Sequence, residues 1–247
     1  MSVREHLNKV ISMDGAAHLT LIDPDEQEPH EAAEMSEAAS RAGTDAIMVG
    51  GSSRAEGELL DETILHINKR IDLPVILFPG GETGVSKHAD AIFFMSLLNS
   101  NDPYFITRAQ SLGAPIVKKF GLEPISMAYI IISPGGTVGK VGKADLIQRD
   151  EPEKATSYAL AAKYLGMSMI YLEAGSGAEE PVPLEMIKQV KETTELTLIT
   201  GGGIKTPEST KKIVSAGADL IVTGTLVEES QDLESEIRGI VGAVKGE

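Results

Sequence analysis

Eight short apolar runs recur along this chain, at residues 18–23, 45–49, 74–78, 91–95, 126–132, 168–173, 196–200 and 219–223. They are mostly continuous apolar stretches, which read as strands buried on both sides. Segments of helical character separate most of them, for example 28–43, 154–166 and 207–217. Strands alternating with helices imply a parallel sheet with helices packed over it.

An internal repeat narrows the choice. SRAGTDAIMVGGS (40–52) aligns with VSAGADLIVTGTL (214–226), and KYLGMSMIYLEAG (163–175) has the same order of helix end, glycine, apolar strand and glycine-bearing loop. One strand–helix unit has been reused, and eight such units close naturally into a barrel. A doubly wound open sheet would need an early G-x-G-x-x-G turn, which is absent. The expected fold is therefore α/β, a TIM-like (β/α)8 barrel in one domain spanning residues 1–247. One unit departs from the plan: only PGGETGVSKHAD (79–90) joins the third run to the fourth. These residues are too few and too poor in helix formers for a crossover helix, so the third helix should be missing or replaced by an extended, mobile segment. The apolar strand surface left bare there would serve as an oligomer contact or as a groove for an apolar ligand.

Composition excludes several functions. Twenty-two basic against 37 acidic side chains give a net charge of −15, which opposes binding to nucleic acid. No cysteine is present, so thiolate metal sites and cysteine nucleophiles are ruled out. No run approaches the ~18 apolar residues of a membrane span, and the first residues lack the apolar core of a signal peptide. A cytoplasmic location is expected. The five histidines are scattered without metal-ligand spacing, and His18 is expected to be structural or solvent-facing.

The loops after the late strands carry the chemistry. ITGGGIKTP (199–207) places three consecutive glycines between a strand and an N-capped, proline-started helix, a setting that favours an anion. In such barrels phosphate sits after strands seven and eight, so Gly202, Gly203, Gly224 and Thr225 are candidate N–H donors to one phosphate, unless they only shape tight turns. In YLEAGSGA (171–178), Tyr171 and Glu173 occupy alternate positions and point the same way. Glu173 would bind or deprotonate a hydroxyl; pairing with a barrel lysine is the structural alternative. Asp23 ends the first run and Ser52 follows the second, together a plausible Mg²⁺ site once diphosphate oxygens complete it.

The combination HLTLIDPD, DAIMVGGS, VILFPGG, FFMSLLNSNDPYFI, YLEAGSGA, ITGGGIKTPE and ADLIVTGTLVE, in this order over nearly the whole chain, resembles the geranylgeranylglyceryl phosphate synthases of archaeal ether-lipid synthesis. The resemblance implies Mg²⁺-dependent transfer of a C20 prenyl group from geranylgeranyl diphosphate to the 3-hydroxyl of sn-glycerol 1-phosphate. It carries the metal site onto Asp23 and Ser52, and catalytic roles onto Glu173 and Asp23. The glycerol phosphate site falls on Tyr171, Leu172, Glu173, Ala174, Gly175, Ser176, Gly177 and Ala178, with Gly202, Gly203, Gly224 and Thr225. A homo-oligomer without a membrane span, with transient membrane contact for the product, is expected. Three rivals stay open. One is a synthase with a longer prenyl donor, such as heptaprenyl, whose chain length would depend on groove aromatics such as Tyr104 and Phe105. The second is a sugar-phosphate isomerase or aldolase, which would want an acid/base pair or a Schiff-base lysine, and no lysine lies in any of the eight runs. The third is a non-enzymatic phosphate-ligand binding barrel.

Overall fold

Strands that are apolar on both faces need cover on both, and a parallel barrel wrapped by helices supplies it. The computed structural model describes residues 1–51, 56–224 and 232–246. Its strands run β1 (Ala17–Ile22), β2 (Ala46–Val49), β3 (Val75–Leu77), β4 (Ala91–Leu97), β5 (Glu123–Ile131), β6 (Met169–Glu173), β7 (Thr197–Gly201) and β8 (Leu220–Thr223). All pair in parallel with their sequence neighbours, and β1 pairs with β8 to close the barrel.

Among the described residues the helices are α1 (Val3–Asp14), α2 (Pro29–Ala42), α3 (Gly57–Asn68), α4 (Ala109–Phe120), α5 (Gly136–Val141), α6 (Pro152–Tyr164), α7 (Leu184–Thr194), α8 (Pro207–Ser215) and α9 (Leu233–Lys245). The repeated glycines do the job their spacing implied. Gly43, Gly166 and Gly217 leave α2, α6 and α8 at φ of 97°, 79° and 112°, values that cost an L side chain strain.

Inward-facing Leu19, Met48, Phe93, Tyr171 and Ile199 fill the barrel, while outward-facing residues such as Ile170 and Ile221 pack beneath the helices. Burying each such side chain contributes roughly 1.5–3 kcal/mol. Helix α1, not foreseen from the sequence, adds Val3 and Leu7 to the barrel interior and so plugs the end where the strands begin. Its signal was legible as a capping box, Ser2 with Glu5. The opposite end, where the strands finish, is left for the site.

No helix follows β3, as expected: residues 78–90 form bends, turns and irregular chain. The segment is tied down rather than loose. Ser86 Oγ donates to Asp61 of α3 at 2.5 Å, Asn68 Nδ2 donates to the His88 carbonyl at 2.9 Å, and the Tyr104 hydroxyl donates to Glu82. Tyr104 belongs to a single π-helical turn (Tyr104–Arg108) that leads into α4.

His18 proves structural and fully buried, not solvent-facing. Its ring spans Thr44 Oγ1 at 2.9 Å and Thr223 Oγ1 at 3.0 Å, tying β1 to the end of β8. Burial, aided by the positive charge of Lys245, lowers its pKa to about 3 and keeps it neutral.

Candidate active site

A polar pocket opens where β6, β7 and β8 end, with about 860 Å³ of empty space that includes open solvent. Tyr171 and Glu173 of β6 both point into it, as their alternate positions required, and Gly202, Gly203 and Gly224 form its rim. Glu173 is buried, and its Oε1 accepts the Gly175 N–H at 2.6 Å. Burial raises its pKa, opposed by hydrogen bonds from Tyr171 and the Gly175 amide. Among the described residues no lysine pairs with it, so the purely structural alternative loses its partner.

The three glycines of ITGGGIKTP are imposed first by the protein itself. A Cβ on Gly201 would overlap the Tyr171 hydroxyl, and one on Gly202 would overlap Glu173 Oε1. One on Gly203 would come within 2.6 Å of the Glu180 carbonyl. Gly202 and Gly203 also hold φ at 79° and 71°. The side chains are missing because the β7 loop closes directly onto the β6 loop, and this close fit gathers backbone amides at the pocket rim. The β6 loop is seated in the same way on the β5 loop, since a Cβ on Gly175 would lie 2.5 Å from the Gly136 nitrogen. Thr206 then caps α8 by accepting the Ser209 N–H at 3.2 Å.

Asp23 lies one residue past β1, at the mouth. A Cβ on Gly51 would overlap its carboxylate, so Gly51 gives that carboxylate its space. Burial, reinforced by the charges of Asp25 and Glu26, raises its pKa, although the Asp25 N–H donates to its Oδ1 at 3.0 Å. A partly buried carboxylate crowded by like charge is relieved by a cation. Among the described residues no cluster of three or more acidic or histidine side chains forms a cage. With a single carboxylate there, any bound cation would have to take most of its oxygens from water or from a ligand. Ser52 and Thr225 lie outside the described residues.

Beside the polar pocket runs an apolar groove with about 810 Å³ of empty space, again partly open to solvent. It starts at Gly51 and Phe78, crosses β4 past Phe93, and continues along α4 at Gly113 and Val117 under residues 79–82. It occupies the place of the absent helix, and Phe105 lines it while Tyr104 holds Glu82 above it.

The two cavities share an aromatic wall. The rings of Phe78, Tyr129 and Tyr171 lie 5.4, 5.0 and 5.8 Å apart in the pairs Phe78–Tyr129, Tyr129–Tyr171 and Phe78–Tyr171. Phe78 and Tyr129 face the groove and Tyr171 faces the polar pocket.

Not every expected residue projects a side chain into the site. Leu172 and Ala174 alternate with Tyr171 and Glu173 and are packed into the outer core, as is Ala178; only their backbone is near the pocket. Sequence reading missed Tyr129 and Lys205. Tyr129 sits in register opposite Tyr171 on the neighbouring strand, which pairing of YIII with YLE would have revealed. Lys205, within GGGIKT, lines the polar pocket.

Comparison with known proteins agrees with this geometry. The chain is 57% identical over 246 residues to a geranylgeranylglyceryl phosphate synthase of Methanosarcina mazei, covering 99% of this chain and 100% of that one. It is 55% identical, at the same coverage, to the synthase of Methanosarcina acetivorans. The crystal structure of (S)-3-O-geranylgeranylglyceryl phosphate synthase from Thermoplasma acidophilum, in complex with its substrate sn-glycerol-1-phosphate, superposes with a TM-score of 0.96 at 44% identity and complete coverage of both chains. The sequence profile of the PcrB family matches residues 8–244, and with these relatives the chain belongs to the PcrB family.

Proposed function

We propose that this chain is a Mg²⁺-dependent prenyltransferase. It moves the geranylgeranyl group of geranylgeranyl diphosphate to the 3-hydroxyl of sn-glycerol 1-phosphate, a step of membrane ether-lipid synthesis. The observation that carries the reading is the placement of buried Glu173, inside a glycine-rimmed polar pocket, across a shared aromatic wall from an apolar groove. Support comes from the Thermoplasma acidophilum relative, which binds sn-glycerol-1-phosphate.

In this reading the amides of Gly202, Gly203 and Gly224, with Thr225 and the loop from Gly175 to Gly177, hold the phosphate. Lys205 supplies local positive charge in a protein of net charge −15. The prenyl tail lies in the groove, where about twenty carbons at ~0.8 kcal/mol per buried CH₂ provide ample binding energy. Its diphosphate sits at the mouth by Asp23, which with Ser52 would hold the metal. Bound there, Mg²⁺ supplies stabilisation of the leaving diphosphate.

The C1–O bond of the donor breaks and its electron pair leaves with diphosphate. A lone pair of the glycerol 3-hydroxyl forms the new C1–O bond, and the hydroxyl proton passes to Glu173. Burial makes Glu173 more basic than an ordinary glutamate, which suits this role.

Asp23→Asn tests the division of labour. Isothermal titration should show weakened, Mg²⁺-dependent diphosphate binding with glycerol 1-phosphate affinity retained. Loss of glycerol phosphate binding instead would reverse the two subsites.

A further inference from the structure

Resting on the reading above, we propose that Tyr129 is a catalytic residue: its ring, with those of Phe78 and Tyr171, forms the surface that stabilises the positive charge developing on the allylic carbons of the donor. The reacting carbon C1 is bonded both to the diphosphate, at the Asp23 and Gly51 end of the groove, and to the tail within it. It must also meet a hydroxyl held by Glu173 in the polar pocket. These three demands place C1 at the shared wall of the two cavities, and that wall is a patch of three mutually packed rings contributed by the end of β3, by β5 and by β6.

The electronic argument is direct. As the C1–O bond lengthens, positive charge spreads over C1 and C3 of the allyl unit before the acceptor oxygen bonds. The faces of aromatic rings carry negative charge and attract a cation without bonding to it or quenching it. Carboxylate oxygens at the same place would trap the cation or draw a proton. Tyr129 is buried in the barrel, so little water reaches this point to compete for the cation. Its ring is held on both sides, edge-on to Phe78 at 80° and against Tyr171 at 59°.

The test is single-turnover kinetics with geranylgeranyl diphosphate, glycerol 1-phosphate and Mg²⁺. Tyr129→Leu should lower the rate of the chemical step about thirtyfold, the scale of a desolvated cation–π contact. Tyr129→Phe should restore most of that loss. Phenylalanines bearing increasing numbers of fluorines at position 129 keep the shape while removing the negative ring face, and should slow the step progressively with KM for glycerol phosphate unchanged. A flat fluorine series, or a Tyr129→Phe variant as slow as Tyr129→Leu, would overturn the inference while leaving the prenyltransferase reading intact. No prenyl transfer by the unsubstituted chain would remove both.

Discussion

Gly202 lies so close to Glu173 that a methyl group on the glycine would overlap the carboxylate oxygen Oε1 and come within 2.7 Å of the Gly175 nitrogen. The glycine-rich loop after β7 and the acid of β6 thus form one fitted unit. Gly202→Ala should displace that carboxylate as well as strain a backbone at φ 79°. A displacement near 1 Å can cost about 10²-fold in rate, and that is the expected loss in kcat/KM. Gly121→Ala is the control, since Gly121 has a similar φ of 72° with open space around it. It should cost about 1 kcal/mol of stability and leave kcat/KM alone. Equal kinetic effects at the two positions would show that backbone strain, not contact with Glu173, matters.

Glu173→Gln should reduce kcat/KM by roughly 10² to 10⁴-fold. The wild-type rate should rise with pH as Glu173 ionises and then level off, a limb absent in the variant. Stability moves the other way. A carboxyl whose pKa is raised above 4.5 on folding is penalised when ionised, and the penalty grows as pH rises through the folded value. The variant should therefore melt at a higher temperature than wild type at pH 8, with the gain gone near pH 4. A lower melting temperature at pH 8 would mean that the ionised carboxylate is a net structural asset.

For His18 the sign is opposite. Its folded pKa is lowered from 6.5 to about 3, so its contribution is complete above 6.5 and is lost as pH falls toward 3. The loss amounts to ~5 kcal/mol at most, at 1.36 kcal/mol per pKa unit. Chemical unfolding of wild type and His18→Gln between pH 7 and 4 should give a steeper acid decline for wild type; parallel curves would mean that other groups govern acid unfolding.

Gly113 of α4 lines the groove, and a Cβ there would already be in van der Waals contact with the Glu82 Cα at 3.8 Å. Gly113→Leu should fill the path of a long tail. KM for the C20 donor should rise about tenfold, as expected for loss of one to three methylene contacts, with a smaller effect on a C10 donor. Equal effects on both donors would place the tail elsewhere.

The barrel was legible because its strands are buried on both faces, and continuous apolar runs separated by glycine-ended helices have few other solutions. The missing third helix was legible from chain length alone: twelve residues between Phe78 and Ala91 cannot make the crossover. Tyr171 and Glu173 were found because period two fixes which strand residues share a face. Tyr129 was not, since its place beside Tyr171 depends on the β5–β6 register, which depends on barrel closure and leaves no local mark. Periodicity would also have excluded the side chains of Leu172 and Ala174, which share a strand or loop with the site but face the outer core. The glycine run was read for an incomplete reason: it suggested an absent ligand, whereas Tyr171, Glu173 and Glu180 already occupy the space a Cβ would need.

The most direct measurement is the mass of the product formed when the protein is given C15, C20 and C35 prenyl diphosphates together, with sn-glycerol 1-phosphate and Mg²⁺. The expected product is geranylgeranylglyceryl phosphate, formed with one diphosphate released per turnover and lost on chelation of the metal. A predominant C35 ether would contradict the assignment of the donor, and glycerol phosphate recovered unchanged beside intact diphosphates would contradict prenyl transfer itself.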